Sequence, residues 1–146
     1  MTVVVGVDGS AGSYAAIRLA AQEARYRAVP LLAVMAYSSE TALGAPGGRP
    51  LSAMRPADDE RIAADARLRD VVRGALGAQA GNVSYRTEAG LPGRVLVATA
   101  RSASAQLMVL HARGDPAARV LGAVSQHVLR NAPCPVLVVP DGGKNP

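Results

Sequence analysis

A chain of 146 residues, 49% apolar and 18% charged, has the balance of one globular domain with a full-sized core, which excludes a disordered chain or a scaffold held by staples. Phe and Trp are absent and the aromatics are four Tyr, so the core is expected from Val, Leu, Ala, Ile and Met; the single Cys excludes an internal disulfide and a cysteine metal cage. The net charge of +5 comes almost wholly from Arg, interspersed with Asp and Glu and without an aromatic stacking platform, which reads as a solvated surface and not as a nucleic-acid face.

The opening MTVVVGVDGS enters an apolar strand at once, with no basic n-region and no cleavage-site pattern. No apolar run approaches the roughly 18 residues needed to cross a bilayer. A cytoplasmic protein with no membrane partner is expected. Thr2 to Asp8 (TVVVGVD) is a run of β-branched residues, typical of a strand covered on both faces. GSAGS follows, and Ser10 or Ser13 is expected to cap a helix beginning near Gly12. Ile17, Ala20, Ala21, Ala24 and Ala28 share one stripe of that helix, and their small size lets it sit close to a sheet. Pro30 ends it, and Leu31 to Tyr37 (LLAVMAY) reads as the second strand.

Residues 38–56 are rich in Gly and Pro and lack periodicity, so a flexible loop is expected there, functional or mobile. A helix from about Ala57 to Ala78 turns Ile62, Leu68, Val71, Val72, Ala75 and Leu76 toward one side. The pair Asp58 and Asp59 reads as charge at its N-terminus. Asn82 to Glu88 (NVSYRTE) alternates as the weakest strand. Pro92 starts a helix through Arg101, Gln106 to His111 forms the fourth strand, Gly122 to Arg130 the last helix, and Pro135 to Val139 (PVLVV) the fifth strand.

Strands alternating with helices imply an α/β fold, an open five-stranded parallel sheet with helices on both faces, because each crossover is right-handed. One domain is expected over residues 1–146, without internal repeats. Such sheets take ligands beyond the carboxyl ends of their strands, where the strand order reverses. With the first strand central, that crevice lies beside Asp8, Val34 and the loop after His111.

VVGVDGSAGSYAAIRLAAQEA, EAGLPGRVLVATA and above all LGAVSQHVLRNAPCPVLVVP resemble the universal stress protein family over nearly the whole chain. The resemblance implies the strand order 3-2-1-4-5 and assembly as dimers. It also implies a nucleotide site, with G-x2-G-x9-G-[S/T] after the fourth strand in the members that bind nucleotide. Glycines there let the backbone approach phosphates, and the following helix N-terminus offers free N–H groups and a partial positive charge. The matching positions are Asp8, Gly9 and Ser10 after the first strand, Val34 on the second, and Arg113, Gly114, Gly122, Val124 and Ser125 on the phosphate and ribose side.

The phosphate pattern departs from the family at three points. His111 replaces the first Gly, seven residues separate Gly114 from Gly122 where the pattern has nine, and Ala123 replaces the closing Ser or Thr. Asp115 also places a carboxylate in the loop, with Arg113 and Arg119 as compensating charge. A hydrogen bond to a charged group contributes roughly 1.5–3 kcal/mol, so two lost contacts weaken binding by about 3–6 kcal/mol, roughly a hundredfold to ten-thousandfold.

The base end is therefore expected to outlast the phosphate end. AMP or cyclic AMP is favoured over ATP, with no cofactor required. The expected function is a regulatory adenine-nucleotide-binding module with a degenerate phosphate loop, not an enzyme. The alternative is a ligandless dimerising module that contacts an unidentified protein partner.

Other residues carry weaker signals. The glycines at 6, 9 and 12 do not fit a dinucleotide fingerprint. His111 and His127 have no nearby ligand cluster, so no metal site is expected, and Cys134 reads as a buried small hydrophobe. Val136, Leu137, Val138 and Val139 lie in what the implied strand order makes an edge strand. A homodimer joined through that strand is expected.

Overall fold

The computed structural model describes residues 1–38, 57–112 and 121–140, apart from the side chains of 57 and 58. The expected loop at about 38–56 falls outside these residues except for Ser38, and so do Arg113, Gly114, Asp115 and Arg119. The elements are β1 (Thr2–Gly6), α1 (Ser13–Arg27), β2 (Leu31–Tyr37), α2 (Ala57–Leu76), a 3-10 segment (Gly77–Asn82), β3 (Val83–Ala89), α3 (Pro92–Ser102), β4 (Ala105–His111), α4 (Ala123–Asn131) and β5 (Val136–Val139). The five strands form one sheet in the order β3-β2-β1-β4-β5, and every pairing is parallel.

The alternation of side chains along each strand divides the core into two layers. On one face Val3, Val5, Leu31, Ala33, Met35, Leu107 and Val109 pack with Ile17 of α1 and Leu68 and Val72 of α2. On the other, Val4, Leu32, Val34, Met108 and Leu110 pack with Val95, Leu96 and Val97 of α3 and Val128 of α4. Val3, Val4 and Val5 are wholly buried, as a central strand covered on both faces requires.

Four local expectations are corrected. Neither Ser10 nor Ser13 caps α1; its N-cap is Gly12, with no side-chain capping bond. Both hydroxyls turn to Asp8 instead. Ala28 leaves the buried stripe because it closes α1 in the left-handed region, at φ 54°, with its N–H on the carbonyls of Ala24 and Arg25. Ile62 is 60% exposed. The buried stripe of α2 runs through Ala64, Leu68, Val71, Val72 and Ala75, and Ile62 sits off that face. The last expected turn of α2 instead unwinds at Gly77, at φ 58°, into the 3-10 segment.

Pro92 does open α3, where its missing N–H costs no helical bond. Cys134 is half-buried against the α3–α4 layer, and burial pushes its thiol pKa up.

Candidate functional site

β1, β2 and β4 all end at the same edge of the sheet, and the order reverses between β1 and β4. A cleft of about 410 Å³ opens there, within the usual range of small-molecule sites. Its apolar part is built by Val34, Ala36, Leu96 and Leu110, with Pro92 at the start of α3. Gly6 permits this floor: a Cβ on it would lie 3.0 Å from both Leu96 and Leu110. Val7 continues the pairing past the end of β1, its N–H donating to the Val34 carbonyl at 2.9 Å.

Polar groups complete the lining. Asp8 and His111 lie on it, His111 Nδ1 being 3.9 Å from Asp8 Oδ2. Asp8 Oδ1 accepts the Ser10 N–H at 2.9 Å, the Ser10 hydroxyl at 2.6 Å and the Ser13 hydroxyl at 2.7 Å. Gly122, Ala123, Val124 and Ser125, the N-cap and first turn of α4, also line it. Helical geometry leaves first-turn N–H groups without intrahelical partners and gives that terminus a partial positive charge. The Gly122 carbonyl is already engaged by the Gln126 N–H at 3.0 Å, and Gln126 Nε2 donates to the Leu121 carbonyl at 2.7 Å.

Of the residues singled out in the sequence, Asp8, Val34, Gly122, Val124 and Ser125 meet on this lining. Gly9 and Ser10 are not on it. Gly9 supplies a turn at φ 84°, and Ser10 bonds Asp8. The residues that sequence reasoning missed are Gly6, Val7, Ala36, Pro92, Leu96, Leu110 and Ala123. A glycine ending the β-branched run of the first strand was the available signal for the first of these. Among the described residues no group of three or more His, Cys, Asp and Glu could hold a metal, and no helix is long and apolar enough to cross a membrane.

An open parallel sheet with a half-apolar cleft at its switch point, beside a helix N-terminus, defines an α/β domain of the doubly wound class. The chain belongs to the universal stress protein family, whose model matches residues 1–140. A universal stress protein of Mycobacterium tuberculosis strain H37Rv is 33% identical over 142 residues, covering 95% of this chain and 47% of the relative. The chain thus spans about half the length of that relative.

Among solved structures, a universal stress protein in complex with cAMP is 28% identical with a TM-score of 0.68, covering 97% of this chain and 98% of that one. A universal stress protein from Archaeoglobus fulgidus in complex with dAMP superposes with a TM-score of 0.62 at 23% identity, covering 94% and 96%. This second likeness is one of fold alone.

Proposed function

We propose that this chain is a regulatory module of one domain that binds an adenine nucleotide in the cleft between β1, β2, β4 and α4, and that it prefers AMP or cyclic AMP to ATP. The observation that carries the reading is a cleft whose apolar part leads to the first turn of α4. A purine gains from burial among Val34, Ala36, Leu96 and Leu110, and a phosphate is favoured at a helix N-terminus. The neighbour at 28% identity is a complex with cAMP, which agrees with this ligand class. The weakened phosphate pattern follows from His111, Ala123 and the shortened Gly114–Gly122 spacing, each of which removes backbone access or a hydroxyl donor. The module acts in the cytoplasm, as a homodimer, without catalysing a reaction and through a protein partner.

Titration calorimetry with AMP, cyclic AMP and ATP tests this. AMP and cyclic AMP are expected to bind, with ATP no tighter than AMP. A low-micromolar ATP constant well below that for AMP overturns the preference. No heat from any of the three at millimolar concentration leaves the ligandless dimerising module as the function.

A further inference from the structure

Side chains on the α3–α4 face of the sheet shrink where the cleft begins. Along β1 the residues on that face are Val4 and then Gly6; along β2 they are Leu32, Val34 and then Ala36. Val4, Leu32 and Val34 fill the core beneath the helices, and the two smallest residues come last, on the lining of the cleft. Gly6 pairs with Val34 beside the switch point between β1 and β4. The larger residues around it show almost no surface: Val34 is 1% exposed, Leu110 3% and Leu96 5%. Gly6 and Ala36 are half-buried, so the open space lies over the two residues with the least side chain.

Gly6 is not required by its backbone, because it lies within β1 and outside the left-handed region. Space alone refuses a larger residue. A Cβ there would lie 3.0 Å from Leu96 Cδ1 and Leu110 Cδ2, and 3.1 Å from Leu96 Cδ2. These are the ends of flexible side chains, and with a close-packed core behind them they yield toward the cleft. A bulkier side chain at position 36 enters the same space directly, since Ala36 lines it.

The depth of this floor decides which ring fits. With a phosphate at the first turn of α4, the apolar part is left for the base. A purine has two fused rings and a pyrimidine one, so the purine gains more from leaving water where the floor accommodates both rings. We propose that Gly6 and Ala36 determine specificity for a purine over a pyrimidine, by keeping the floor of the cleft low enough for a fused two-ring base. The inference rests on the nucleotide reading above and adds the residues that select the base.

The test is the ratio of AMP and CMP dissociation constants, measured by calorimetry, for the parent, Gly6→Ala, Ala36→Val and Val72→Ala. The two ligands carry the same ribose and phosphate, so the ratio reads the base alone. The parent is expected to bind AMP about tenfold or more tightly than CMP. Raising the floor at either position is expected to remove about fivefold or more of that preference, because the larger ring loses its place first. Val72→Ala opens the core on the opposite face of the sheet, lowers the melting temperature and is expected to keep the parent ratio within about twofold. A shift there as large as in the floor variants means that the ratio follows general loosening, and overturns the proposal. A natively folded Gly6→Ala or Ala36→Val with the parent ratio overturns it too; should Gly6→Ala melt far below the parent, Ala36→Val carries the test. A parent that binds AMP and CMP equally overturns the selectivity and leaves the nucleotide reading standing. No binding of either ligand by any of the four proteins at millimolar concentration removes that reading and the selectivity together.

Discussion

Oδ1 of Asp8 accepts three hydrogen bonds from its own loop, two of them from hydroxyls, and one donor, Ser13, is wholly buried. The resemblance places this carboxylate at the nucleotide site, and its geometry gives Asp8 a structural role as well. Asp8→Ala would take the acceptor from the Ser13 hydroxyl proton, leaving that oxygen only the residue-8 N–H at 3.3 Å, and a buried polar group left without a partner costs about 1–3 kcal/mol. Asp8 itself is partly exposed, which places the expected loss at the low end, about 1–2 kcal/mol. Asp8→Asn keeps an Oδ1 acceptor and should retain most of the stability while losing the charge. Urea unfolding of the three proteins checks the stability, and calorimetry with AMP checks the affinity, which is expected to fall in both variants. An alanine variant that unfolds at the parental midpoint would show that the loop bonds contribute nothing. At Cys134, where burial raises the thiol pKa, the unfolded chain deprotonates first. Its contribution to stability is full below the ordinary thiol value and is lost as pH rises through the folded one.

Close approach of two elements depends on a single hydrogen at Gly93. This residue sits in the first turn of α3, and a Cβ there would lie 3.0 Å from Cδ2 and 3.1 Å from Cβ and Cγ of His127 on α4. Gly93→Ala gains up to about 1 kcal/mol of helix propensity, yet the His127 Cβ cannot retreat without its backbone. The expected result is net destabilisation by about 1–2 kcal/mol. His127→Ala leaves that Cβ in place but removes the ring contact, so the double mutant should recover part of the loss; thermal melts of the four-protein cycle measure it. Additive effects would mean that the two helices do not press on each other here. The same elements show what could be read in advance. β1, β2 and β4 announce themselves as β-branched or aliphatic runs, and Pro92 marks α3, because these signals are local. The apolar half of the cleft does not, since Ala36, Leu96 and Leu110 differ in no chemical respect from core residues. They converge only once α3 crosses the sheet and β1 registers Gly6 opposite Val34. Asp8 was legible as a residue beside the crevice, where the lining includes it, but Ser13 was read as a helix cap because capping and bonding a carboxylate call for the same residue types within a few positions.

For the whole molecule, the sheet order leaves β3 and β5 as edges, and they are unequal. β3 carries Arg86 and Glu88, charges that discourage pairing with another chain. β5 is Val136–Val139, with no charged residue, with Leu137 37% exposed and with none of its four residues fully buried. Its inner side pairs with β4 from Met108–Val136 to His111–Val139, and among the described residues no strand pairs with its outer side. Pro135 and Pro140 lie outside the strand and leave every amide within it able to donate. An apolar edge of this kind is satisfied by a second copy of itself, and two copies related by a two-fold axis run antiparallel. We therefore expect a homodimer in which the two β5 strands join the sheets into one. Light scattering coupled to gel filtration at tens of micromolar should give twice the mass of the chain. Leu137→Pro and Val138→Pro each remove an interior donor. Because alternate amides of an edge strand face inward and outward, one of the two prolines strikes the inner ladder with β4 and should also lower the melting temperature. The other strikes the outer edge and should shift the mass toward monomer at nearly parental stability. A parent protein that runs as a monomer under these conditions rules out the assembly, whatever either variant does.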